Sequence, residues 1–367
     1  MNILFDHQVF SFQQYGGVSR YVSEIARKLA TDKNNRVEIL APLYINQYIE
    51  NIENVLLHGM KIQRFPRSEK ILIFLNTFVS KLLLKFRKDI DILHETYHFP
   101  TNYLPKGAKK VITVYDMTYE KYPELFPADD KNRSYKALKV READHIICIS
   151  ENTRKDLIKF LSVPESKTSV IYLGYSIKGK KDATNYNKEK KPVILFVGER
   201  RGYKNFETLL RAFGRSDFLK NNYSIVCFGG DKPGQNELSI MAQMNLDTEK
   251  VKFLRGNDEM LSDLYSTASL FVYPSLYEGF GMPPLEAMSF GCPVVCSNSS
   301  SLPEVVGNAA EIAEASDENE LLSAIERVLS SSTLANDLIE RGFERLQHFS
   351  WDKCSDETMA IYNKLKA

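Results

Sequence analysis

The sequence predicts an α/β protein made of two doubly wound units in tandem. Three observations carry this. Short apolar runs of strand length alternate with longer helical segments along the chain. Those runs are nearly continuous in Val, Ile, Leu and Phe, as in parallel strands covered on both faces by helices. One polar, lysine-rich stretch, residues 176–192, closes on Pro192 and separates two such series.

Ile3-Leu4-Phe5 reads as the opening strand. Residues 18–29 read as a helix with Val18, Val22, Ile25, Ala26 and Leu29 on one face. Strands are expected at 37–40, 90–93, 111–114 and 145–149. Ser150 reads as the N-cap of a helix over 153–161, or as a contact to a bound molecule. The second series places strands at 193–197, 224–228, 251–254, 270–273 and 293–296. The expected domains are 1–176 and 177–351. Sheets of this class bind ligands beyond the carboxyl ends of their strands, so a shared ligand is expected in an interdomain cleft.

At roughly 100–200 residues per domain, 367 residues suffice for two full cores. The 48 basic and 47 acidic residues leave a formal charge of +1, which argues against a nucleic-acid binder and a disordered chain. The balance hides an asymmetry: residues 1–176 hold 26 Lys and Arg against 20 Asp and Glu, and residues 177–367 hold 22 against 27. Five cysteines in so long a chain make no disulfide framework and suit a reducing cytoplasm. The start, MNILFDHQVF, has no basic-then-apolar signal pattern, and no apolar run approaches the roughly 18 residues of a membrane span. The expected location is the cytoplasm, including the inner face of the membrane.

The segment richest in chemistry is Pro274-Ser275-Leu276-Tyr277-Glu278-Gly279-Phe280-Gly281-Met282-Pro283-Pro284-Leu285-Glu286. It follows a strand, turns through two glycines and enters a helix with proline in the first turn, where a missing N–H costs little. A helix start offers backbone N–H groups and the positive end of the dipole to a diphosphate. Glu278 and Glu286, seven residues apart in the intervening chain, can each accept paired hydrogen bonds from vicinal hydroxyls. Upstream, Gly198-Glu199-Arg200-Arg201-Gly202-Tyr203-Lys204-Asn205 sets cations between a strand and a helix that Asn205 would cap.

The segment resembles the paired-glutamate motif of family 4 glycosyltransferases, which have the GT-B fold. The likeness runs along nearly the whole chain. Tyr15-Gly16-Gly17-Val18-Ser19-Arg20-Tyr21 is similar to the family's glycine-rich first loop, and Gly198 to Lys204 resembles its Gly-x-Arg-x-x-x-Lys donor-phosphate motif. Residues 297–305 resemble the next loop, and Phe349-Ser350-Trp351 the entry to a last helix, about 352–367, that crosses back onto the first domain. The resemblance implies that the second domain holds a nucleotide-diphosphate sugar. Arg200 and Lys204 would hold the diphosphate, with the N–H groups of Phe280, Gly281 and Met282. Glu286 would bind ribose and Glu278 the transferred sugar. Gly16 and Gly17 would let backbone approach donor or acceptor, or form a plain tight turn. Arg255-Gly256-Asn257 is the expected neighbourhood of the base.

The acceptor half rests on fewer residues. Where many relatives carry a histidine after the strand at 111–114, this chain has Tyr115 followed by Asp116. Asp116 would accept a hydrogen bond from the acceptor hydroxyl or act as its general base, or would cap the next helix. His94 and His98 are acceptor-side candidates or satisfied structural histidines. Asp89-Ile90-Asp91 has the form of a metal-binding Asp-x-Asp, but the cations and the helix start already answer a diphosphate, so no metal is expected. Cys292 and Cys296 flank a buried strand and read as core. Residues 70–88 carry long apolar runs with five basic residues and no acid. They suit peripheral contact with an anionic membrane, or a core helix with a basic outer face.

The reaction implied is retaining, metal-independent transfer of a hexosyl group to a hydroxyl of a glycan or lipid-linked acceptor in surface polysaccharide synthesis. GDP-mannose is expected slightly ahead of a UDP-hexose. No cofactor and no nucleic acid are expected. The alternatives are a nucleotide-sugar epimerase or phosphorylase of the same fold, and a non-enzymatic sugar-binding protein.

Overall fold

The computed structural model describes residues 1–50, 52–66, 68–175, 189–200, 202–247 and 249–367. The chain divides into two compact units, Met1–Gly174 with Trp351–Ala367, and Tyr175–Ser350. Most of the segment read as a linker, residues 176–188, and Arg201 of the basic motif lie outside the described residues.

The first unit is a seven-stranded parallel sheet. Its strands are β1 (Asn2–Phe5), β2 (Arg36–Tyr44), β3 (Val55–Lys61), β4 (Ile92–Glu95), β5 (Lys109–Val114), β6 (His145–Cys148) and β7 (Thr168–Val170). Their order is β3-β2-β1-β4-β5-β6-β7, so the winding reverses between β1 and β4. Ile3, Leu4 and Phe5 are wholly buried, as expected of a central strand covered on both faces. Helices α1 (Gln8–Phe12), α2 (Gly17–Leu29), α3 (Ser68–Leu84), α4 (Thr118–Lys121), α5 (Asn132–Glu142) and α6 (Glu151–Leu161) connect the strands. α2 buries Val22, Ile25, Ala26 and Leu29 at helical spacing. α6 starts where Ser150 Oγ accepts from Thr153 N at 3.0 Å, the capping reading, and ends at Ser162 in the left-handed region, φ 52°. The strand expected from Ile90 starts at Ile92: Ile90 is buried in the core without joining the ladder.

The second unit has six parallel strands, β8 (Lys191–Val197), β9 (Ser224–Phe228), β10 (Val251–Leu254), β11 (Ala268–Tyr273), β12 (Val294–Ser297) and β13 (Glu311–Ala313). The order β10-β9-β8-β11-β12-β13 again reverses beside its first strand. Its helices are α7 (Phe206–Arg215), α8 (Asp217–Asn222), α9 (Gln235–Gln243), α10 (Asp258–Thr267), α11 (Met282–Ser289), α12 (Leu302–Val306), α13 (Glu318–Ser330) and α14 (Ser332–Leu346). The core packs Phe206, Leu209, Leu210 and Phe213 of α7 and Leu321, Ile325 and Val328 of α13 against Ile194, Phe196, Ile225 and Val272 of the sheet.

The last helix, α15 (Trp351–Lys366), belongs to the first unit. It lies on α2, with the Trp351 ring 6.2 Å from that of Tyr21 and ion pairs from Lys28 to Asp352 and from Lys366 to Asp91. Asp89 is held by Arg87 at 2.6 Å. Both acids of the Asp-x-Asp are thus taken up by cations of the chain.

Candidate functional site

In the second unit, β8 and β11 lie side by side where the strand order reverses, and the crevice at their carboxyl ends is the natural ligand seat. β8 runs through Gly198 to Arg200 and a 3₁₀ turn, Gly202–Lys204. β11 runs through residues 274–281 into α11. Three links tie the two loops together. Leu276 N donates to the Tyr203 carbonyl at 2.8 Å. Asn205 Nδ2 donates to the Pro274 carbonyl at 3.0 Å. Lys204 Nζ donates to Glu278 Oε1 at 2.7 Å and Oε2 at 2.9 Å.

Lys204 also donates to Tyr273 Oη at 3.2 Å, so all three of its N–H groups are committed. The pair is nearly enclosed, with side-chain exposures of 15% and 11%. Burial works against the Lys204 charge, but the Glu278 carboxylate prevails and holds the ammonium above its usual range. Burial and the same carboxylate push the Tyr273 phenol up.

The capping expectation for Asn205 is corrected here. Asn205 precedes α7, but its left-handed backbone, φ 58°, turns the side chain away from the helix amides. Its Nδ2 reaches Pro274 and Ala315 carbonyls and its Oδ1 accepts from Thr208, so it staples loops rather than capping. Arg200, expected to hold the diphosphate with Lys204, is engaged within the chain as Lys204 is. Its Nε donates to Glu237 at 2.7 Å, Nη1 to the Gly229 carbonyl at 3.0 Å and Nη2 to the Asp231 carbonyl, and its plane lies 4.7 Å from the Phe253 ring centre. The Arg200 side chain is almost completely buried, and Glu237 balances its charge. Arg200 lines a cavity of about 550 Å³ with Gly229, Gly230, Asp231, Lys232 and Arg255. Arg255 and Gly256 of the expected base-binding loop line it.

The turn into α11 is built by hydrogen bonds from the loop after β12. Glu278 N donates to Ser300 Oγ at 2.8 Å, and Ser301 Oγ donates to the Phe280 carbonyl at 2.7 Å. Gly281 has φ 110°, and a Cβ there would stand 2.7 Å from Leu302 Cδ2, so only glycine fits. Pro283 and Pro284 carry no N–H, which confines the amides at this helix start to Met282 and the residues just before it. Glu286, the fifth residue of α11, is buried and accepts from the Tyr265 hydroxyl at 3.3 Å. Cys292 and Cys296 are enclosed free thiols pushed up to about 12 by burial, which fits core residues.

In the first unit, Gly16 and Gly17 open α2. A Cβ on Gly16 would lie 2.6 Å from Gln13 Oε1, the oxygen that accepts from Ser19 N at 3.1 Å and so caps the helix. Gly17 is the exposed first residue of α2. His94 is fully buried; its Nδ1 pairs with Tyr362 Oη at 2.5 Å and its Nε2 with Thr113 Oγ1 at 2.9 Å. It is the structural histidine of the two readings, fastening α15 to β4 and β5, and burial lowers its pKa to about 4. Tyr115 is likewise occupied, donating to the Thr96 carbonyl at 3.2 Å.

His98 and Asp116 lie in the loops after the neighbouring strands β4 and β5, and each feels the other's charge. His98 is buried against Tyr97, ring centres 3.9 Å apart, and its Nε2 has no hydrogen-bond partner among the described residues. Burial, then the Lys136 charge, lowers its pKa to about 3. Asp116 Oδ1 accepts from Thr118 N at 2.9 Å, a turn ahead of α4. Burial opposes its charge, but Lys136 and that amide hold the carboxyl below its usual value, which makes it a hydrogen-bond acceptor and a weak base.

Sequence reasoning missed Asp6. It sits at the β1/β4 reversal and accepts from Thr96 N at 2.9 Å, Thr96 Oγ1 at 2.7 Å and Gln8 Nε2 at 2.7 Å, ordering the loops after both strands. A carboxylate closing the apolar run Ile3-Leu4-Phe5 was the available signal. Ser300 and Ser301 carried no local signal, because their work is done through residues more than 20 positions away, whereas Glu237 both accepts from Gly234 N at 2.7 Å at the start of α9 and holds Arg200, 37 positions away.

Comparison with known proteins agrees with this architecture. The family model for glycosyl transferases group 1 matches residues 178–345, and that for glycosyltransferase family 4 matches residues 15–178. The chain is 28% identical to the O-antigen chain mannosyltransferase B of Escherichia coli, over 95% of this chain and 96% of that one. It is 30% identical to the O-antigen chain mannosyltransferase RfbU of Salmonella typhimurium, over 68% and 67%. Among solved structures, WaaG, a glycosyltransferase involved in lipopolysaccharide biosynthesis, superposes with a TM-score of 0.75 at 17% identity, covering 98% of this chain and 99% of that one. Sucrose-phosphate synthase from Thermosynechococcus elongatus gives 0.74 at 20% identity, over 99% and 98%. With its two doubly wound units of the GT-B class and both family models matched in series, the chain belongs to glycosyltransferase family 4 and is a glycosyltransferase.

Proposed function

We propose that the protein transfers a mannosyl group from GDP-mannose to a hydroxyl of a growing surface glycan, with retention of configuration and without a metal ion. The observation that carries the reading is the Lys204–Glu278 pair at the β8/β11 reversal. It sits in a chain similar over nearly its full length to an enzyme named as an O-antigen mannosyltransferase.

In this reading the diphosphate lies against Met282 and the amides before it, where the dipole of α11 favours negative charge. Lys204 exchanges Glu278 for a phosphate oxygen. Glu278, released, accepts from hydroxyls of the transferred sugar, and Glu286 from those of the ribose. Arg200 serves by holding the wall of the base cavity. The acceptor oxygen attacks the anomeric carbon on the face that the diphosphate leaves. The C1–O bond to the diphosphate breaks as the new C1–O bond forms, and the departing phosphate oxygen takes the acceptor proton. Lys204 and the helix start neutralise the charge that gathers on that oxygen; each preorganised group of this kind is worth about 3–4 kcal/mol in other enzymes.

The test is calorimetric titration with GDP and with UDP, each in the presence of a chelator, followed by transfer from the matching donor and NMR of the product's anomeric proton. GDP binding under chelation and an α-linked mannoside from GDP-α-mannose are expected. Selective UDP binding would overturn the donor, a metal requirement the metal independence, and a β-linked product the stereochemistry.

A further inference from the structure

Helix α3 buries Leu72, Asn76 and Leu84 and leaves Phe74 and Phe78 outside, 73% and 58% exposed. Residues 70–88 are therefore not a core helix with a basic outer face. Among the described residues no helix is long and apolar enough to cross a membrane. Both phenylalanine rings line a cavity of about 890 Å³, within the roughly 300–1,000 Å³ of small-molecule sites. Lys70, Ile73, Phe74, Thr77, Phe78 and Lys81 form its α3 wall, one helical face at spacings of three and four. The other walls come from the loop after β4, with Phe99 and Asn102, and from Asp129, Asp130 and Tyr135 at the entry to α5.

These loops are held in place before any ligand arrives. Lys139 of α5, fully buried, donates to the Thr101 carbonyl at 2.5 Å and to Glu95 at 2.8 Å, which ties the loop after β4 to α5. Phe99 meets Phe12 edge-on, ring centres 5.5 Å apart. Asp130 Oδ1 accepts from Asn132 N at 2.7 Å and sets the turn into α5. The same segments carry the acceptor-side candidates. His98 directly precedes Phe99, and Lys136, next to Tyr135, donates to the Asp116 carbonyl at 2.9 Å.

The lining selects a chemical class. Lys70, Lys81 and Lys131 nearly offset Asp129 and Asp130, so the cavity favours neither an anion nor a cation. More than half of the lining residues are polar, and an acyl or isoprenoid chain would dehydrate them without returning a hydrogen bond. A pyranose meets both demands. Its C–H face packs on an aromatic ring, carboxylate and amide oxygens accept from its neighbouring hydroxyls, and lysine and amide N–H groups donate to its oxygens. Phe74 and Phe78 supply the rings, and Asp129 and Asn102, both exposed, supply the polar groups.

We propose that this cavity binds a neutral oligosaccharide: the units of the acceptor glycan that lie behind the reacting hydroxyl. The inference rests on the glycan-acceptor reading given above and requires nothing of the donor site. Longer acceptors then bind more tightly than a single sugar.

The test is ligand-observed NMR titration of the full chain, free of nucleotide, with methyl α-mannoside, with α-mannotetraose and with farnesyl phosphate, beside calorimetry with GDP and UDP. The tetraose is expected to bind at least about tenfold more tightly than the monosaccharide. Phe74→Ser with Phe78→Ser should weaken it at least about tenfold, and Asp129→Ala by about tenfold. All three side chains are exposed, so melting temperatures should stay at the wild-type value. Equal affinity for monosaccharide and tetraose, or tetraose binding untouched by both variants, would overturn the proposal. So would farnesyl phosphate binding that depends on the phenylalanines while the tetraose does not bind, which would assign the cavity to a lipid chain. Nucleotide binding without tetraose binding would sink this inference and spare the donor site; the reverse result would sink the donor site and spare this inference.

Discussion

If the diphosphate is to reach Lys204, Glu278 must first give it up, and that exchange can be measured. At 2.7 Å and an effective dielectric near 20, the gross attraction in the pair is about 6 kcal/mol. Desolvation cancels much of it. Breaking a fully buried pair by removing one partner costs about 3–5 kcal/mol, and the residual exposure of 15% and 11% places this pair at the lower end, about 3 kcal/mol. Lys204→Met should therefore destabilise the second unit by about that amount, leaving the carboxylate with Tyr273 alone. Glu278→Gln should cost less, since the amide oxygen still accepts from Lys204. The double variant should recover about 2 kcal/mol relative to the sum of the singles.

Nucleotide affinity should split the two singles in opposite directions. Lys204→Met removes a cation from the diphosphate and should weaken GDP binding, while Glu278→Gln removes the carboxylate that competes for that cation. A gain of about 1.4 kcal/mol, tenfold in Kd, is the expected order for the second. Transfer by Glu278→Gln should nonetheless fall, because the sugar loses its carboxylate. Calorimetry with GDP, urea unfolding of the four proteins and donor turnover make the set. If Glu278→Gln weakened GDP as much as Lys204→Met did, or if the double-variant cycle showed no coupling, the exchange argument would fail.

Three further outcomes follow from the same geometry. Glu286→Gln should retain the wild-type melting temperature within a few degrees, since Tyr265 keeps an acceptor, yet lose at least about tenfold in kcat/KM; unchanged turnover would remove Glu286 from the site. Glu237→Leu should leave the Arg200 guanidinium buried beside carbonyls only, cost about 2–3 kcal/mol in stability and weaken nucleotide binding through the cavity wall, with kcat for bound donor little changed; a kcat loss without a change in Kd would instead put Arg200 on the reacting phosphates. Acid should destabilise the first unit. His94 is held neutral at about 4 against 6.5 unfolded, so its contribution is complete above pH 6.5 and lost as pH falls toward 4, roughly 3 kcal/mol in all, and His94→Gln should flatten the stability slope there by about one proton.

How much of this could be read from the sequence depends on how far each residue's partner lies along the chain. The central strands were legible because both faces are buried and the apolar run is unbroken, as at Phe196 and Val272. β3 was not: it is an edge strand whose exposure alternates, and its residues Leu56, His58 and Met60 face solvent. β7 and β13, three residues each at sheet edges, give too short a pattern to stand out. In the site, residue types and element positions were legible and pairings were not. Lys204 and Arg200, four residues apart, read as one cationic pair. Their partners are 74 and 37 positions away and turn them to different tasks.

The same limit acts on α3, where it has the largest consequence. The pattern of Phe74, Phe78 and Leu82 defines a face, and Asn76 and Ser80 define the opposite one, but a pattern does not say which face meets the sheet. Ordinary packing logic turns the aromatic side inward. What opposes it is one backbone site: the end of β2 at Leu43 presents both an N–H and a carbonyl to the helix, and the Asn76 amide answers the two together. Asn76→Leu would leave both groups unpaired against an apolar side chain, a loss of about 2–3 kcal/mol. It would also remove the bonds that hold the polar side of α3 inward. A crystal structure of that variant with α3 unrotated would show that Asn76 fastens the helix without choosing its face, and the choice would then rest on the bulk of the phenylalanines alone.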